Sequence, residues 1–454
     1  MESFRAALPT AAYTPMGHGL SCSRDTDEYD LFRAAQLGDT HALSALLTAD
    51  PALARRATIY DRSTALHITA ANGRLQALSM LLDRDGVRPD VVNRKKQTPL
   101  MVAAMRGNTD CVLKLLHAGA NILTFDSPRA RTCLHHAAYY GHADCLQAIL
   151  AAAQAQGPVA ASWGFARFVN VRDERGATPL HLAARHGRAA CVRLLLDKGA
   201  IVSAPTAVYG FPGSTALHLA ARAGNLDCIR ELLAWGADRL QRDSAGRIAY
   251  AVAVRRGHRA CAALLNPAAA EPIVWPSPLK FIGELEADAK ALLEAALMEA
   301  NREREKRILV NLSIKGGGGE ESEEEEEEEA CNICFEQACS MEVKECGHQM
   351  CAACTLAICC HSKPNPKTLL LHPPACPFCR TTISRLVVAT TKTNAAALSR
   401  RRSRRSRDGS SSFKGLSSAI GSFSRMGRGS GRLVVADKPD HDFSSLAAAA
   451  NCVV

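Results

Sequence analysis

The chain has 454 residues, with 47% hydrophobic and 22% charged side chains. This length suits about three domains, and the composition excludes a wholly disordered protein because most of the chain can bury enough apolar surface to fold. The sequence contains neither a run of 18 apolar residues nor a secretion signal, so we expect a cytoplasmic protein rather than a membrane-spanning or secreted one. The net charge of +10 is concentrated, since residues 390–454 carry 12 Lys or Arg against 4 Asp.

The N-terminal segment, residues 1–29, contains a candidate acylation motif at residues 16–22. A Met-Gly pair with Ser five positions after the Met is typical of N-myristoylation, and a nearby Cys is typical of palmitoylation. Gly17 and Cys22 are therefore lipidation candidates if translation starts at Met16. Two acyl chains would hold the protein at the inner face of the plasma membrane, whereas one chain binds only marginally.

An internal repeat occupies residues 30–266. A Thr-x-Leu-His motif, in which x is Pro, Ala or Cys and the second copy lacks the His, recurs at residues 63–67, 97–100, 131–135, 177–181 and 214–218, each time followed by an Ala-rich turn and a glycine. The motif resembles the ankyrin repeat, which has a period of about 33 residues. The resemblance implies a solenoid of stacked helix pairs that binds proteins on its concave face. We count six clear repeats and a weaker opening copy at residues 30–35.

Histidines and cysteines recur at fixed repeat positions. We expect the cysteines to be small buried residues and the histidines to form hydrogen bonds between repeats, and we assign neither set a catalytic role. The cysteines are Cys111, Cys145, Cys191, Cys228 and Cys261, and the histidines are His67, His135, His181 and His218.

Two insertions interrupt the period. The first lengthens the spacing between Thr132 and Thr178 to 46 residues, and the second lies near residues 209–212. Insertions in solenoids form loops, often on the binding face. Aromatic side chains in these loops either contact a substrate or pack over neighbouring helices, and the candidates are Trp163, Phe165, Tyr209 and Phe211.

Residues 267–312 combine a proline-bearing linker with an amphipathic helix, because apolar residues between 285 and 297 recur at helical spacing. This helix either packs on the last repeat or serves as a dimer or partner helix. A Gly- and Glu-rich spacer occupies residues 313–330 and has nine Glu among residues 320–329. Repulsion between like charges favours a disordered connector, which would set the reach of the cysteine-rich segment C-terminal to it.

Ten of the 18 cysteines lie between Cys331 and Cys379, which in an intracellular chain indicates metal ligation. Three Cys-x-x-Cys pairs and one Cys-x-His pair offer eight ligands, enough for two tetrahedral Zn²⁺ ions. Four protein ligands per ion leave no position for water, so both ions would be structural. A tandem zinc ribbon and an adventitious metal site are the alternatives. Cys339, Cys359 and Cys360 are not assigned as ligands.

The order and spacing of these ligands over residues 331–380 resemble the RING finger. The resemblance implies an interleaved pairing, in which one ion is held by Cys331, Cys334, Cys351 and Cys354, and the other by Cys346, His348, Cys376 and Cys379. It also implies a RING-type ubiquitin transferase, which binds a ubiquitin-charged conjugating enzyme and positions ubiquitin for attack by a substrate lysine. Such domains form no covalent intermediate of their own.

The resemblance also assigns roles by motif position. Ile333, Ile358 and Pro377 would dock the conjugating enzyme, although many family members carry Trp at the position of Ile358. Arg380, directly after the last ligand, matches the family's linchpin, whose planar guanidinium bridges the enzyme and ubiquitin.

The tail, residues 381–454, is Ser-rich and basic, with most of its arginines at residues 400–407. We expect it to be disordered. Nuclear targeting, contact with acidic lipids and regulation by phosphorylation are alternative roles for it.

The whole order of segments resembles the plant ankyrin-repeat RING ubiquitin ligases, the type that binds immune receptor kinases. The implied fold is mainly α, an ankyrin solenoid followed by a helix, a disordered acidic spacer, a small α/β cross-braced RING finger and a disordered basic tail. The implied function is recruitment of a protein substrate, with a receptor-like kinase as a candidate, for ubiquitination in plant defence or receptor-kinase signalling. The alternative is a zinc-stabilised ankyrin scaffold without transferase activity. Nucleic-acid binding is less favoured, because the arginine run lacks interleaved aromatics.

Overall fold

The computed structural model describes residues 22–155, 164–207, 211–282, 285–314, 330–360 and 373–389. The predictions for Gly17, the Glu-rich run, residues 390–454 of the basic tail, Trp163 and Tyr209 concern residues outside this set, whereas residues 381–389, predicted as part of the disordered tail, are ordered. Cys22 is the first residue of the first helix. Within the described residues, no helix is both long enough and apolar enough to cross a membrane.

The described helices of the repeat region are seven antiparallel pairs, one short α-helix and a 3-10 helix at Pro51–Arg55. In chain order the helices are α1 (Cys22–Leu37), α2 (Thr40–Ala49), α3 (Ala65–Asn72), α4 (Leu75–Leu82), α5 (Pro99–Arg106), α6 (Thr109–His117), α7 (Cys133–Tyr140), α8 (Ala143–Ala155), α9 (Phe165–Val169), α10 (Pro179–Arg185), α11 (Ala189–Asp197), α12 (Ala216–Ala223), α13 (Leu226–Ala234), α14 (Ala249–Arg256) and α15 (Arg259–Leu265). The weak opening copy forms the pair α1–α2, which buries Leu31 and Ala35 in the repeat core.

The repeat motif explains how the first helix of each pair begins. In four repeats a Thr stands before the helix, and the His three residues later closes a capping box. The backbone N–H of Thr178 donates to His181 Nδ1 (3.2 Å), so Nε2 carries the proton and donates to Ala204 O of the next repeat at 2.9 Å. The predicted hydrogen bond between repeats is confirmed at this position.

A glycine ends most of these first helices. Gly141, after α7, has a φ of +90°, in the left-handed region where a side chain is strained. A Cβ at this position would also collide with the Arg188 side chain of the next repeat. The glycine therefore serves both the turn and the close stacking of neighbouring repeats.

One continuous hydrophobic core runs through the repeats. The five repeat cysteines are buried in it, as predicted, and burial raises the pKa of Cys191 to about 11, so this thiol is not reactive. The described end of the first insertion also packs inward. Phe168 is fully buried and Phe165 is half-buried against the same core.

The C-terminal part begins with two helices and continues as a small α/β unit. Its elements are α16 (Pro276–Phe281), α17 (Ala287–Ile314), β1 (Met341–Val343), β2 (Gln349–Met350), α18 (Ala352–Cys360) and β3 (Leu386–Val388). The three strands form an antiparallel sheet in the order β2-β1-β3. Met341 lies opposite both Met350 and Val388 in this sheet.

A second hydrophobic core joins α16 and α17 to this α/β unit. Leu293 and Leu297 of α17 are fully buried in the same cluster as Leu356 of α18 and Ile383 before β3. Helix α17 also packs on α15 of the last repeat. The predicted packing on the last repeat is therefore confirmed. Helix α17 also packs against the α/β unit, which its sequence pattern does not indicate.

Polar contacts reinforce the joint between the repeats and the two C-terminal helices. Arg230 of α13 and Glu305 of α17 form an ion pair at 2.6 Å. The Asn301 side chain bonds both backbone groups of Ile273, at 3.0 and 2.9 Å.

The composition of the spacer predicts that it sets the reach of the cysteine-rich unit. Among the described residues, packing against α17 sets the position of this unit instead.

Candidate metal centres

The eight predicted ligands form two clusters, and within each cluster the four ligand atoms lie within 4.8 Å of one another. Site 1 consists of Cys331, Cys334, Cys351 and Cys354, and site 2 of Cys346, His348, Cys376 and Cys379. This is the interleaved pairing, so segments distant in sequence are tied together twice.

The geometry of both sites fits zinc. The sulfurs of Cys334 and Cys351 are 3.7 Å apart, and a tetrahedral ion with Zn–S bonds of about 2.3 Å requires a sulfur separation of about 3.8 Å. His348 Nδ1 is buried and has no hydrogen-bond partner among the described residues. Buried nitrogens without a partner are uncommon, and a metal ion would use this lone pair. The residues therefore fit two structural Zn²⁺ ions.

Two matching turns hold the first and last ligand pairs. The residue directly after each Cys-x-x-Cys pair is left-handed, with φ of +59° at Phe335 and +63° at Arg380. Its N–H donates to the carbonyl of the first Cys of the pair, and both bonds are 2.8 Å long. A left-handed non-glycine residue costs on the order of 1 kcal/mol, which the much larger zinc-binding energy offsets.

Local hydrogen bonds favour the thiolate at one ligand of each site. Bonds from the side chain and backbone N–H of Cys354 lower the pKa of Cys351 to about 5. Bonds from the Thr381 hydroxyl and backbone lower the pKa of Cys379 to about 6. The thiolate is the form that binds zinc, so these contacts favour that form at Cys351 and Cys379, whereas the same bond raises the pKa of Cys354.

Comparisons with known proteins agree with this geometry. Residues 330–385 match the family model of the E3 ubiquitin-protein ligase XB3/XBAT31 RING finger. Residues 31–126 and 123–206 match ankyrin repeats in three copies, and residues 212–244 match an ankyrin repeat.

Curated relatives are similar over nearly their whole length. The Probable E3 ubiquitin-protein ligase XBOS31 of Oryza sativa subsp. japonica is 86% identical, over 96% of this chain and 99% of that protein. The chain belongs to the XB3/XBAT31 family of E3 ubiquitin-protein ligases. The rice E3 ubiquitin-protein ligase XB3 is 68% identical over 94% of this chain and all of that protein. The Putative E3 ubiquitin-protein ligase XBAT31 of Arabidopsis thaliana is 55% identical over 93% of this chain and all of that protein.

Membership of the XB3/XBAT31 family makes the chain a RING-type ubiquitin transferase with ankyrin repeats and two structural zinc ions. The prediction of a ubiquitin ligase is confirmed, and the alternative of a zinc-stabilised scaffold without transferase activity is not. Among solved structures, the human ASB11 ankyrin repeat domain is 28% identical and covers 49% of this chain and 90% of that chain, with a TM-score of 0.39.

The structure places the predicted docking residues around both zinc sites. Ile333, between the ligands of the first turn, and Ile358, one helical turn after Cys354, flank site 1, and both are half-buried against the RING core. Pro377, between the ligands of the last turn, and Arg380, directly after it, flank site 2 and are exposed.

Of the substrate-contact candidates, the structure describes Phe165 and Phe211. Phe165 packs against the repeat core. Phe211 is half-buried, and the guanidinium carbons of Arg185 and Arg222 lie 5.3 and 4.1 Å from its ring centre. These arginines were not singled out from the sequence, although each lies in the last turn of the first helix of a repeat.

The RING finger extends past the predicted boundary at residue 380. Ile383 is fully buried, and β3 pairs with β1. The Glu345 carboxylate accepts hydrogen bonds from the Ser384 hydroxyl at 2.7 Å and from the backbone N–H of Arg385 at 3.1 Å, which fixes the approach to β3. The two adjacent valines of β3 were the available signal for this strand.

Proposed function

We propose that the chain transfers ubiquitin directly from a conjugating enzyme to a protein substrate held by the ankyrin repeats. The RING finger would dock the charged enzyme through Ile333, Ile358 and Pro377. Arg380 would bridge the enzyme and ubiquitin as the linchpin. The RING supplies no reacting atom in this scheme, so its contribution is positioning and electrostatic preorganisation.

The observation that carries this proposal is the partial exposure of the docking side chains. Ile333 and Ile358 contact the RING core yet keep solvent-exposed surface, and Pro377 is exposed beside the other zinc site. Apolar side chains held by a metal-stabilised frame form a rigid surface, which lowers the entropic cost of binding a partner. A rigid apolar surface of this kind suits the docking of another protein.

Two RING cysteines that are not zinc ligands support direct transfer. Cys359 is buried. Cys360 is exposed as a residue, but partial burial of its thiol raises its pKa, so the Cys360 thiol is mostly protonated near neutral pH. The cysteines with a lowered pKa are the zinc ligands Cys351 and Cys379. Neither Cys359 nor Cys360 therefore presents an activated thiol to form a thioester.

Arg380 is available for a bridging role. It is exposed, and no carboxylate of the described residues lies within the 4.0 Å ion-pair distance of its guanidinium. Its left-handed backbone is fixed by the hydrogen bond to Cys376 O, so the side chain starts from a rigid position beside site 2. A planar guanidinium can bond two partners at once.

The decisive experiment is single-turnover discharge of a ubiquitin-charged conjugating enzyme onto free lysine, with the full chain as catalyst. Ile333→Ala should lower the discharge rate about tenfold, because an apolar anchor in an interface contributes at least about 1.4 kcal/mol. Arg380→Ala should lower discharge without weakening binding of the conjugating enzyme. Val388→Ala, at a 62% exposed position of β3, is the matched control and should behave as wild type. Full activity of both test variants would refute the proposal.

We also propose a cytoplasmic location, at the inner face of the plasma membrane when Gly17 and Cys22 are acylated, and a role in plant defence or receptor-kinase signalling. The acylation motif and the order of segments support these proposals. Peptide mass mapping of the protein expressed in plant cells should recover an acylated Gly17. Recovery of peptides that all begin at Met1 or Glu2 would contradict the membrane location.

A further inference from the structure

Arginines concentrate at one place in the repeats. Arg185, Arg222, Arg255 and Arg256 lie in the last turns of α10, α12 and α14, the first helices of three successive repeats. These helices pack side by side, so their ends form a row. We call Arg185, Arg222, Arg256 and the adjacent Phe211 the arginine cluster.

Phe211 holds two of these arginines together. Its ring centre lies 4.1 Å from the guanidinium carbon of Arg222 and 5.3 Å from that of Arg185. Cation–π contacts of this kind restrict both side chains before any ligand arrives. Less conformational entropy is then lost on binding.

The cluster lacks compensating negative charge. The nearby carboxylate, Asp243, is 5% exposed and is already paired with Arg247, through bonds of 3.0 Å from Nε and 2.8 Å from a terminal nitrogen. Within the described residues, no carboxylate lies within 4.0 Å of the guanidinium groups of Arg185, Arg222 or Arg256. Residues 30–266 as a whole carry 29 Lys or Arg against 17 Asp or Glu, a net charge of +12.

Repulsion between arginines contributes, after burial, to the lowered pKa of two groups in or beside the cluster. Burial, followed by repulsion from Arg256 and Arg247, lowers the pKa of Arg222. Burial, followed by repulsion from Arg185 and Arg188, lowers the pKa of His186 to about 4. An anionic ligand would relieve this repulsion, and guanidinium groups bind carboxylates through paired hydrogen bonds.

The spacing of the cluster favours an extended ligand over a single anion. Neighbouring helices pack roughly 10 Å apart, so three repeats place the outer arginines about 20 Å apart. An extended chain advances about 3.3 Å per residue and would cross the cluster in about six residues.

The aromatic content favours a protein over a nucleic acid. Phe211 is already covered by guanidinium groups, whereas sequence-tolerant binding of nucleic acid relies on rings that are free to stack on bases.

We propose that the arginine cluster binds an extended segment rich in Asp and Glu on the partner protein of this ligase. The inference rests on the proposed function, in which the repeats hold the substrate, and it names the chemistry by which they do so. Arg185, Arg222 and Arg256 would pair with acidic side chains, and Phe211 would keep two of the guanidinium groups in place.

The test is fluorescence anisotropy with the full chain and a labelled peptide of about twelve residues, alternating Glu and Ser, which exceeds the length of the cluster. The control peptide has Gln in place of Glu. Replacing Arg185, Arg222 and Arg256 together by Ala should weaken binding of the acidic peptide about tenfold or more. The matched control removes the same charge elsewhere, through Ala at the exposed Arg33, Arg88 and Lys306, and should change binding less than twofold.

A second variant keeps the inference testable if the triple variant fails to fold. Arg222→Lys keeps the charge but loses the planar fork, and it should give an intermediate loss of affinity with an unchanged thermal unfolding profile. Equal binding of the Glu and Gln peptides, or equal loss in the cluster and control variants, would overturn the inference.

Two further arms test other occupants. A single-stranded oligonucleotide that binds as tightly as the acidic peptide, and that loses affinity in the cluster variant, would overturn the choice of a protein partner. Binding of the peptide only after the glutamates of residues 320–329 are replaced by Gln would show that this run, rather than a partner, occupies the cluster.

The same preparation of wild-type chain is assayed for discharge of the charged conjugating enzyme. Failure of discharge contradicts the proposed function, whereas failure of peptide binding contradicts the arginine-cluster inference. The two outcomes are therefore distinguishable.

Discussion

The coupling between α17 and the RING finger gives a prediction with a definite magnitude. Leu293 is 0% exposed and lies in the hydrophobic core that α17 shares with α18 and β3. Leu293→Ala removes three buried carbon atoms, each worth about 0.8 kcal/mol in transfer free energy, and leaves a cavity that adds further cost. We expect the free energy of unfolding of this part of the protein to fall by about 3 kcal/mol.

Hydrogen–deuterium exchange of the zinc-bound chain measures this effect locally. Since one core serves both elements, amide protection should fall in α17 and in α18 and β3 together, while the central repeats stay protected. Val310→Ala, on the same helix at a 54% exposed position, is the matched control and should cost less than about 0.5 kcal/mol. Loss of protection in α17 alone, with unchanged exchange in α18 and β3, would refute the shared core.

Two further predictions concern the repeats. Burial lowers the pKa of His181 to about 4, so the unfolded chain binds more protons below pH 6.5 and stability falls by up to about 3 kcal/mol between pH 6.5 and 4. The urea midpoint should drop over this range. The drop should be smaller in His181→Asn than in the control variant His117→Asn, which replaces an exposed histidine. Equal pH slopes in the two variants would contradict the role of His181. Phe168→Ala, at a fully buried site, should lower the free energy of unfolding in urea by about 3–5 kcal/mol. Phe165→Ala, at a half-buried site, should lower it clearly less. Equal losses in the two variants would contradict the packing of α9.

The features that the sequence predicted well are those fixed by local chemistry. The Thr-x-x-His pattern carries its own capping box, so the helix starts in four repeats follow from adjacent residues such as Thr178 and His181. The zinc ligands were equally accessible, because each Cys-x-x-Cys turn is set by a few bonds around Cys331 and Cys376. In both cases the interaction spans only a few residues of chain.

The features that the sequence did not predict depend on contacts between distant segments. The apolar face of α17 was visible, but whether Leu293 and Leu297 met the last repeat, a second chain or the RING core depends on tertiary packing. Likewise, Phe211 was noted as an aromatic residue of an insertion. Its contact with Arg185 and Arg222 requires the loop to fold back over the helix ends. Periodicity carries no information on either contact.

We infer that two zinc ions, one in each interleaved cluster, hold the RING finger in the form that supports ubiquitin transfer. Native mass spectrometry of the purified chain tests it most directly. We expect two bound zinc ions in the wild-type chain, and loss of the site 2 ion alone in His348→Ala with site 1 retained. Fewer than two zinc ions in the wild type, or two tightly held ions in His348→Ala, would contradict it.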